Sequence, residues 1–350
     1  MEIKEFYKNK KVLITGHTGF KGSWICQILL NLGANVCGIA LKPITSPNLF
    51  SLLKLENKID NHYIDIRNFD EVKKVFDDYK PEIVLHLAAQ PLVIESYNNP
   101  RYTYDVNVMG TVNICECVRL SDYVKSFVNV TTDKVYENIE DQNHYYKEDE
   151  KLNGYDPYSN SKSCSELVTQ SYIKSFFMKK EIAVSTCRAG NVIGGGDFSD
   201  NRIIPDCVRA SINNKEIEIR NPNSYRPYQH VLEADMFYLQ LAMKQFENAE
   251  YAGSYNIGPN EEDCVSTKQL VELFINNWSD SKYICANING PHEANFLKLD
   301  STKAKRTLNW EPKWNVNKAV ANTVDWYRIF ANNGDLEAIT NKQIEEYLGD

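Results

Sequence analysis

Short apolar runs alternate with helical patterns from residue 11 to residue 190, and that order admits few folds. "KVLITG" (11–16), "NVCGIAL" (35–41), "HYIDI" (62–66), "EIVLHLAA" (82–89), "SFVNVTT" (126–132) and "IAVSTCRAG" (182–190) read as strands. Between them, Ile25, Ile28, Leu29 and Leu32 recur at helical spacing within 21–32. "FDEVKKVFDDY" follows the third strand, and longer helices are expected near 100–120 and over 158–178. Strands separated by crossover helices pair in parallel, and the helices cover both faces of the sheet. The expected class is α/β.

The first strand runs into "GHTGFKG" (16–22), and a helical pattern follows at once. Gly16 permits a sharp turn, Gly19 lets backbone amides approach a phosphate, and Gly22 allows the helix to pack closely on the strand. The helix N-terminus then faces a pyrophosphate. A lone glycine-rich turn is common, but between a first strand and a first helix it points to a dinucleotide. The expected architecture is therefore a Rossmann-type doubly wound parallel sheet with a smaller C-terminal domain. At the end of the second strand the usual acidic ribose ligand is missing. "IALKP" places Lys42 there and leaves a 2′-phosphate open, yet one lysine makes a poor phosphate pocket, so NAD is the expected cofactor. Asp65 is placed to accept a hydrogen bond from an adenine amino group. His17 and Lys21 are expected to add positive or polar surface to the turn, unless Lys21 points into solvent.

Composition narrows the class further. With 350 residues, the chain suits two unequal domains, and 43% hydrophobic with 25% charged residues is ordinary for a folded protein. A net charge of −8 argues against a nucleic-acid partner, and "TKAKR" (302–306) is a basic helix face. No apolar stretch nears the roughly 20 residues needed to span a bilayer. The N-terminus lacks a signal peptide's apolar segment, so no membrane partner and a cytoplasmic location are expected. Nine cysteines include no C-x-x-C pair. Cys115 and Cys117 do not share a helix face, so no metal is expected, and the thiols read as reduced and mostly buried.

Two stretches carry reactive groups. "TTDKVY" (131–136) sets Thr132, Asp133 and Lys134 in succession at a strand mouth, where neither strand nor turn requires them. "YSNSK" sets Tyr158 and Lys162 one helical turn apart, roughly 6 Å along the axis. A lysine ammonium near a phenol stabilises the phenolate and lowers the tyrosine pKa from about 10. Phenolate and NAD⁺ together can remove a proton and a hydride from an alcohol, and Thr132 can hydrogen-bond the same oxygen. A Y-x-x-x-K pair alone arises often by chance, and its position 26 residues after Thr132 and downstream of the glycine turn is what gives it weight.

These strings make the chain resemble the extended branch of the short-chain dehydrogenase/reductase superfamily, and within it the CDP-glucose 4,6-dehydratase family. "GHTGFKGSW" (16–24), "HLAAQPLV" (86–93), "NVMGT" (107–111), "TTDKVYEN" (131–138), "DPYSNSK" (156–162), "RAGNVIGGGD" (188–197), "RPYQHVLE" (226–233) and "HEANFLKLD" (292–300) carry the resemblance. It implies a catalytic set of Thr132, Asp133, Lys134, Tyr158 and Lys162. It implies cofactor contacts from Gly16, His17, Thr18, Gly19, Phe20, Lys21, Gly22, Asp65, Ile66, Leu87, Ala88 and Ala89, besides Tyr158 and Lys162. Substrate contacts are carried onto Gln90, Asn191, Arg202, Arg220, Arg226, His292 and Glu293. Asn107 matches a residue that supports the active-site lysine.

The implied reaction removes water from CDP-glucose through oxidation at C4, elimination across C5 and C6, and return of hydride to C6. Asp133 would be the acid at the 6-hydroxyl and Lys134 the base or relay at C5. Related dTDP-glucose dehydratases carry Asp-Glu in place of this Asp-Lys. A lysine with an ordinary pKa near 10.4 is mostly protonated at neutral pH, so a closed pocket would have to lower it. The rivals are a nucleotide-sugar 4-epimerase using the same threonine, tyrosine and lysine, and a silent sugar-nucleotide or NAD(H) binder. Residues 1–190 and 229–257 are expected to build the cofactor domain, with 191–228 and 258–350 mainly the sugar-nucleotide domain. Arg220 and Arg226 there offer planar forks to a diphosphate. The resemblance also implies a homodimer or dimer-based oligomer, paired through the helices bearing Val106, Met109, Leu167 and Ile173.

Overall fold

The computed structural model describes residues 2–286 and 296–349. Its centre is a seven-stranded parallel sheet of β1 (Lys11–Thr15), β2 (Asn35–Ala40), β3 (Asp60–Tyr63), β4 (Ile83–His86), β5 (Ser126–Val130), β6 (Ala183–Ala189) and β7 (Ser254–Ile257). The spatial order is β3-β2-β1-β4-β5-β6-β7. Val12 of β1 is in register with Val36 on one side and Ile83 on the other. The chain winds outward to β3, then crosses back to β4 beside β1. The crevice that opens at such a reversal, beyond the carboxyl ends of the strands, is where ligands bind in sheets of this kind.

Every residue of β4, β5 and β6 is buried, as a parallel sheet covered on both faces requires. The covering helices include α1 (Phe20–Asn31), α2 (Phe69–Tyr79), α3 (Gly110–Leu120) and α4 (Pro157–Tyr172). α2 turns Val72, Val75 and Phe76 inward, and the Asn68 side chain caps its start by accepting from the Glu71 amide. α4 opens on Pro157, with the Asp156 carboxylate accepting from the Ser159 amide. That cap sets Tyr158 in the first turn. π-helical segments adjoin the start of α3 (Asp105–Met109) and the end of α4 (Ile173–Phe177).

β3 departs from the expected 62–66. As an edge strand it pairs with β2 from Asp60, and a local turn then pulls it out of the sheet. The Asp65 carboxylate accepts from the Arg67 amide at 2.9 Å, and the Asp65 carbonyl accepts from the Asn68 amide.

Beyond β6 the chain makes short pairs: Val192–Ile193 with Gln229–His230, Tyr225–Arg226 with Val265–Ser266, and Ile217–Ile219 with Tyr283–Cys285. α5 (Ile203–Ile212) lies among them, and α6 (Val231–Glu247) packs back on the sheet before β7. One core joins Trp24, Ile28 and Leu29 of α1 to Leu270, Phe274 and Trp326. The final helix, Leu336–Leu348, returns to α1, where Gln27 and Asn31 both donate to the Asn341 side chain. All nine cysteines are free thiols. Among the described residues, no helix is long and apolar enough to cross a membrane.

Candidate active site

The glycine turn closes tightly at the switch point. Gly16 has φ +78°, and a Cβ there would stand 2.7 Å from the Ala88 amide nitrogen. A Cβ on Gly22 would stand 2.2 Å from the Gly16 carbonyl. Both positions exclude a side chain, and α1 begins directly after Gly19, which offers no side-chain cap. Its first amides are left for an anion. Thr18 ties the turn to β2 by donating to the Leu41 carbonyl, and the backbone of Leu87 and Ala88 faces Gly16, with half-buried Ala89 next along the chain. Phe20 packs beside Gly194. This cradle fits a dinucleotide pyrophosphate.

Two cofactor expectations change here. Instead of adding positive or polar surface to the turn, the His17 ring is fully buried, edge-on to Phe50 at 5.2 Å and hydrogen-bonded to Asn61 at 2.6 Å. Burial lowers its pKa, so the ring packs the turn from behind as a neutral group. Lys21 points inward and donates to the Tyr238 hydroxyl at 3.2 Å. Burial lowers its pKa, against the pull of the Asp235 carboxylate. Ile66 is buried against Gly110, and its carbonyl accepts from Asn113. Its side chain is therefore spent on the core. Asp65 keeps an exposed face, although Arg67 holds it by a two-nitrogen fork and keeps its pKa below the usual carboxylate value. The Lys42 ammonium lies over the Tyr63 ring at 5.8 Å.

The reacting groups converge where β5 ends. Thr132 and Asp133 are buried, and the Thr132 hydroxyl donates to Asp133 Oδ1 at 2.9 Å. Asp133 Oδ2 is buried without a hydrogen-bond partner among the described residues. Lys134 is half-buried, and among the described residues its ammonium has no ion-pair or hydrogen-bond partner. Tyr158 stands beside Thr132, Asp133 and Arg202. Burial pushes its pKa up to about 12; the Thr132 hydroxyl and the Arg202 guanidinium pull it down, and the Asp133 carboxylate adds to the rise.

That is the reverse of the expected lowering by Lys162. The Lys162 ammonium donates to the Val130 carbonyl at 3.0 Å, and its own pKa falls to about 8 through burial and the charge of Lys21, with Glu166 opposing. Buried His86, on the neighbouring strand, is lowered to about 3 by burial and by Lys162. It is neutral at physiological pH and donates no charge.

Several anchors were invisible in the sequence. Glu166, on the same face of α4 as Lys162, forms a fully buried ion pair with Arg188 of β6 at 2.8 Å. Its position four residues after Lys162 was the only available signal. Asn107 accepts from the Gln90 amide and donates to the Gln90 carbonyl and to Ser161, so it ties the loop after β4 to α4, the helix that carries Lys162. Asp235 of α6 is fully buried near Lys21, and neither carboxylate oxygen has a hydrogen-bond partner among the described residues.

The expected substrate residues scatter in role. The Gln90 side chain donates to Leu92 and Thr103 and accepts from the Leu92 amide, which commits it to its own loop. Arg202 pairs with Asp197 at 2.9 Å beside Tyr158. Arg220 forks onto Asn201 and Asp206, close to the start of α5. Arg226 is buried and donates to the Tyr225 carbonyl; Pro227, next to it, packs on Gly190, which faces Asp133 Oδ2. Asn191 sits at the end of β6, its carbonyl taking the Gln229 amide. His292 and Glu293 lie outside the described residues.

A family profile described as GDP-mannose 4,6 dehydratase matches residues 13–323. A CDP-glucose 4,6-dehydratase of Salmonella typhimurium is 41% identical over 99% of this chain and 98% of its own length. Among solved structures, a Bacillus anthracis dTDP-glucose 4,6-dehydratase in complex with NAD superposes with TM-score 0.75 at 21% identity, covering 94% of this chain and 99% of the other. A Thermus thermophilus UDP-glucose 4-epimerase complexed with NAD gives 0.77 at 22%, covering 91% and 98%. At those identities the structural likeness speaks for the fold. The family profile and the Salmonella relative speak for the lineage: this chain belongs to the GDP-mannose 4,6 dehydratase family.

Proposed function

We propose that the protein is an NAD-dependent CDP-glucose 4,6-dehydratase, a hydro-lyase that releases CDP-4-dehydro-6-deoxy-D-glucose and water. The observation that carries the reading is the buried Asp133 Oδ2, without a hydrogen-bond partner among the described residues, beside Thr132, Tyr158 and half-buried Lys134. A 4-epimerase needs the tyrosine, lysine and threonine, but has no use for an acid and a base aimed at C5 and C6. Support for the cytidine sugar comes from the Salmonella relative.

The glycine turn, the Leu87–Ala89 segment and Asp65 would hold NAD, with Tyr158 and Lys162 at its reactive end. When bound there, NAD would supply the hydride acceptor for C4 and the hydride donor for C6. Tyr158 takes the 4-hydroxyl proton while Thr132 hydrogen-bonds that oxygen. The 4-ketone acidifies C5, where Lys134 removes the proton, and Asp133 protonates the leaving 6-hydroxyl, which departs as water; the proton held by Lys134 returns to C5 as hydride enters C6. Burial holds the phenol's pKa up at about 12, and the Arg202 guanidinium acts in the opposite direction, toward the phenolate that the proton transfer needs.

Arg220 and Arg226 are proposed to bind the diphosphate, and Asn191 and Arg202 to contact the substrate nearer the reacting centre. We place the cofactor domain at 1–190 and 229–257 and the sugar-nucleotide domain mainly in the rest, with helix 336–348 serving the former. A cytoplasmic dimer is proposed through the α3 and α4 faces. Met109 and Leu167 are 49% and 51% exposed there, whereas Val106 and Ile173 pack into the protomer's own core. Monomeric mass in sedimentation with full activity would exclude the dimer. For the reaction, CDP-glucose is incubated with NAD⁺ and the products are read by mass spectrometry. Loss of 18 mass units with a 4-keto sugar supports the dehydratase; an epimer of unchanged mass supports the rival, and no conversion supports a binder.

A further inference from the structure

"TTDKVY" is held at both ends by one dry ion pair. At its start, the Thr131 hydroxyl donates to Glu166 Oε1 at 2.6 Å. At its end, the Tyr136 hydroxyl accepts from Arg188 Nη1 at 2.7 Å and donates to Asn256 of β7 at 2.7 Å. Glu166 and Arg188 are joined by two near-parallel bonds, Nε to Oε1 at 2.9 Å and Nη2 to Oε2 at 2.8 Å. Thr186 of β6 donates to Oε2, and the Glu148 carbonyl accepts from Nη1. Both side chains have no exposed surface.

A buried ion pair is a weak source of stability, because desolvation offsets the attraction and apolar residues of similar volume often do as well. What such a pair specifies is geometry. Here its partners come from three segments: α4, which carries Tyr158 and Lys162; the stretch holding Thr132, Asp133 and Lys134; and β6 between them. Ser163 of α4 adds a neutral tie by donating to the Val135 carbonyl at 2.7 Å. We propose that Glu166 and Arg188 form a positioning clamp that registers the Asp133–Lys134 turn against the Tyr158–Lys162 helix. The clamp touches neither substrate nor cofactor. It rests on the dehydratase reading, since elimination is the step that needs acid, base and phenol fixed together.

Thr131→Val removes one hydroxyl with its bonds to Glu166 and the Cys187 carbonyl, and Tyr136→Phe one hydroxyl with its bonds to Arg188 and Asn256; both keep the side-chain volume nearly unchanged and leave the ion pair in place. Misplacement of reacting groups by about an ångström can cost about a hundredfold. The expected result is a fall in kcat for dehydration of about tenfold to a hundredfold, with KM within about twofold and C4 oxidation in a single turnover less affected. Thr131→Ser, which restores the hydroxyl, should recover most of the rate. A second measurement uses no substrate: hydrogen exchange of amides in 131–136 should quicken in Thr131→Val and Tyr136→Phe, with α1 unchanged. Wild-type kcat per folded site in both variants, no recovery in Thr131→Ser, or unchanged exchange in 131–136 would overturn the clamp. Failure of the wild type to dehydrate CDP-glucose would overturn the dehydratase reading, and the exchange measurement would still decide the clamp.

Discussion

The helix side and the turn side of the reacting centre are built differently. On the helix side, Lys162 is hydrogen-bonded to the Val130 carbonyl, and its pKa and that of Tyr158 are displaced by burial and by neighbouring charge. On the turn side, Asp133 keeps one oxygen unpartnered and Lys134 has no counter-ion among the described residues. An unpaired buried oxygen costs free energy until something bonds it. The helix-side groups thus find their contacts within the protein, whereas the turn side is left with open valences that a sugar hydroxyl can fill.

Tyr158→Phe breaks the helix side outright and carries the largest expected effect. Without the phenol no proton leaves the 4-hydroxyl, so the 4-ketone never forms and the turn side has nothing to act on. Turnover should fall about 10³–10⁴-fold, at the upper end of acid–base losses. Neither NADH absorbance in a single turnover nor deuterium at C5 should appear. Deuterium exchange at C5 in this variant would show that the two sides act independently.

Asp133→Asn keeps the helix side and removes the acid. Oxidation at C4 and exchange of the C5 proton with solvent should persist, while dehydration slows about 10²–10³-fold. The amide also hydrogen-bonds Thr132, so its shape is nearly kept, and mass spectrometry of C5 deuterium beside product separates the steps. Lys134→Ala should do the opposite at that position: oxidation survives, C5 exchange is lost, and turnover falls about a hundredfold. Dehydration at the wild-type rate in Lys134→Ala would make the lysine a positioning group and reassign the base.

The two sides were also unequally legible in the sequence. The glycine turn could be read because its spacing is local: Gly16 and Gly22 answer to backbone within the same strand–turn–helix unit and to the facing Ala88. The strands of the sheet were legible from apolar runs, except that β3 ends where a carboxylate–amide turn at Asp65 outweighs the apolar Ile64 and Ile66. What failed was tertiary. His17 looked like surface until Phe50 and Gly38 enclosed it. Tyr158 looked acidified by Lys162 because the spacing showed the ammonium but not the burial. Glu166 escapes a reading of the sequence because Arg188 becomes its partner only through the pairing of β5 with β6 and the packing of α4 over them.

The smallest expected effect concerns stability and tests whether the helix side is held ready at a cost. Lys162 has a folded pKa of about 8, below its ordinary value near 10.4. Between those values the unfolded chain binds the proton that the folded protein has released, so stability should rise with pH from about 8 to about 10.4. Below pH 8 both states are protonated and the full penalty of burying the ammonium beside Lys21 is present, partly relieved by Glu166. Lys162→Met removes the charge and keeps the stem, at the loss of the bond to Val130. The variant should therefore gain about 1–2 kcal/mol at pH 7 over wild type, and the gain should shrink above pH 8. Urea midpoints at pH 7 and pH 9.5 measure it. A variant less stable than wild type at pH 7, with a gap that does not change by pH 9.5, would show that the Val130 bond outweighs the buried charge. The helix side would then be a relaxed structure, and the difference from the turn side would lie only in their open valences.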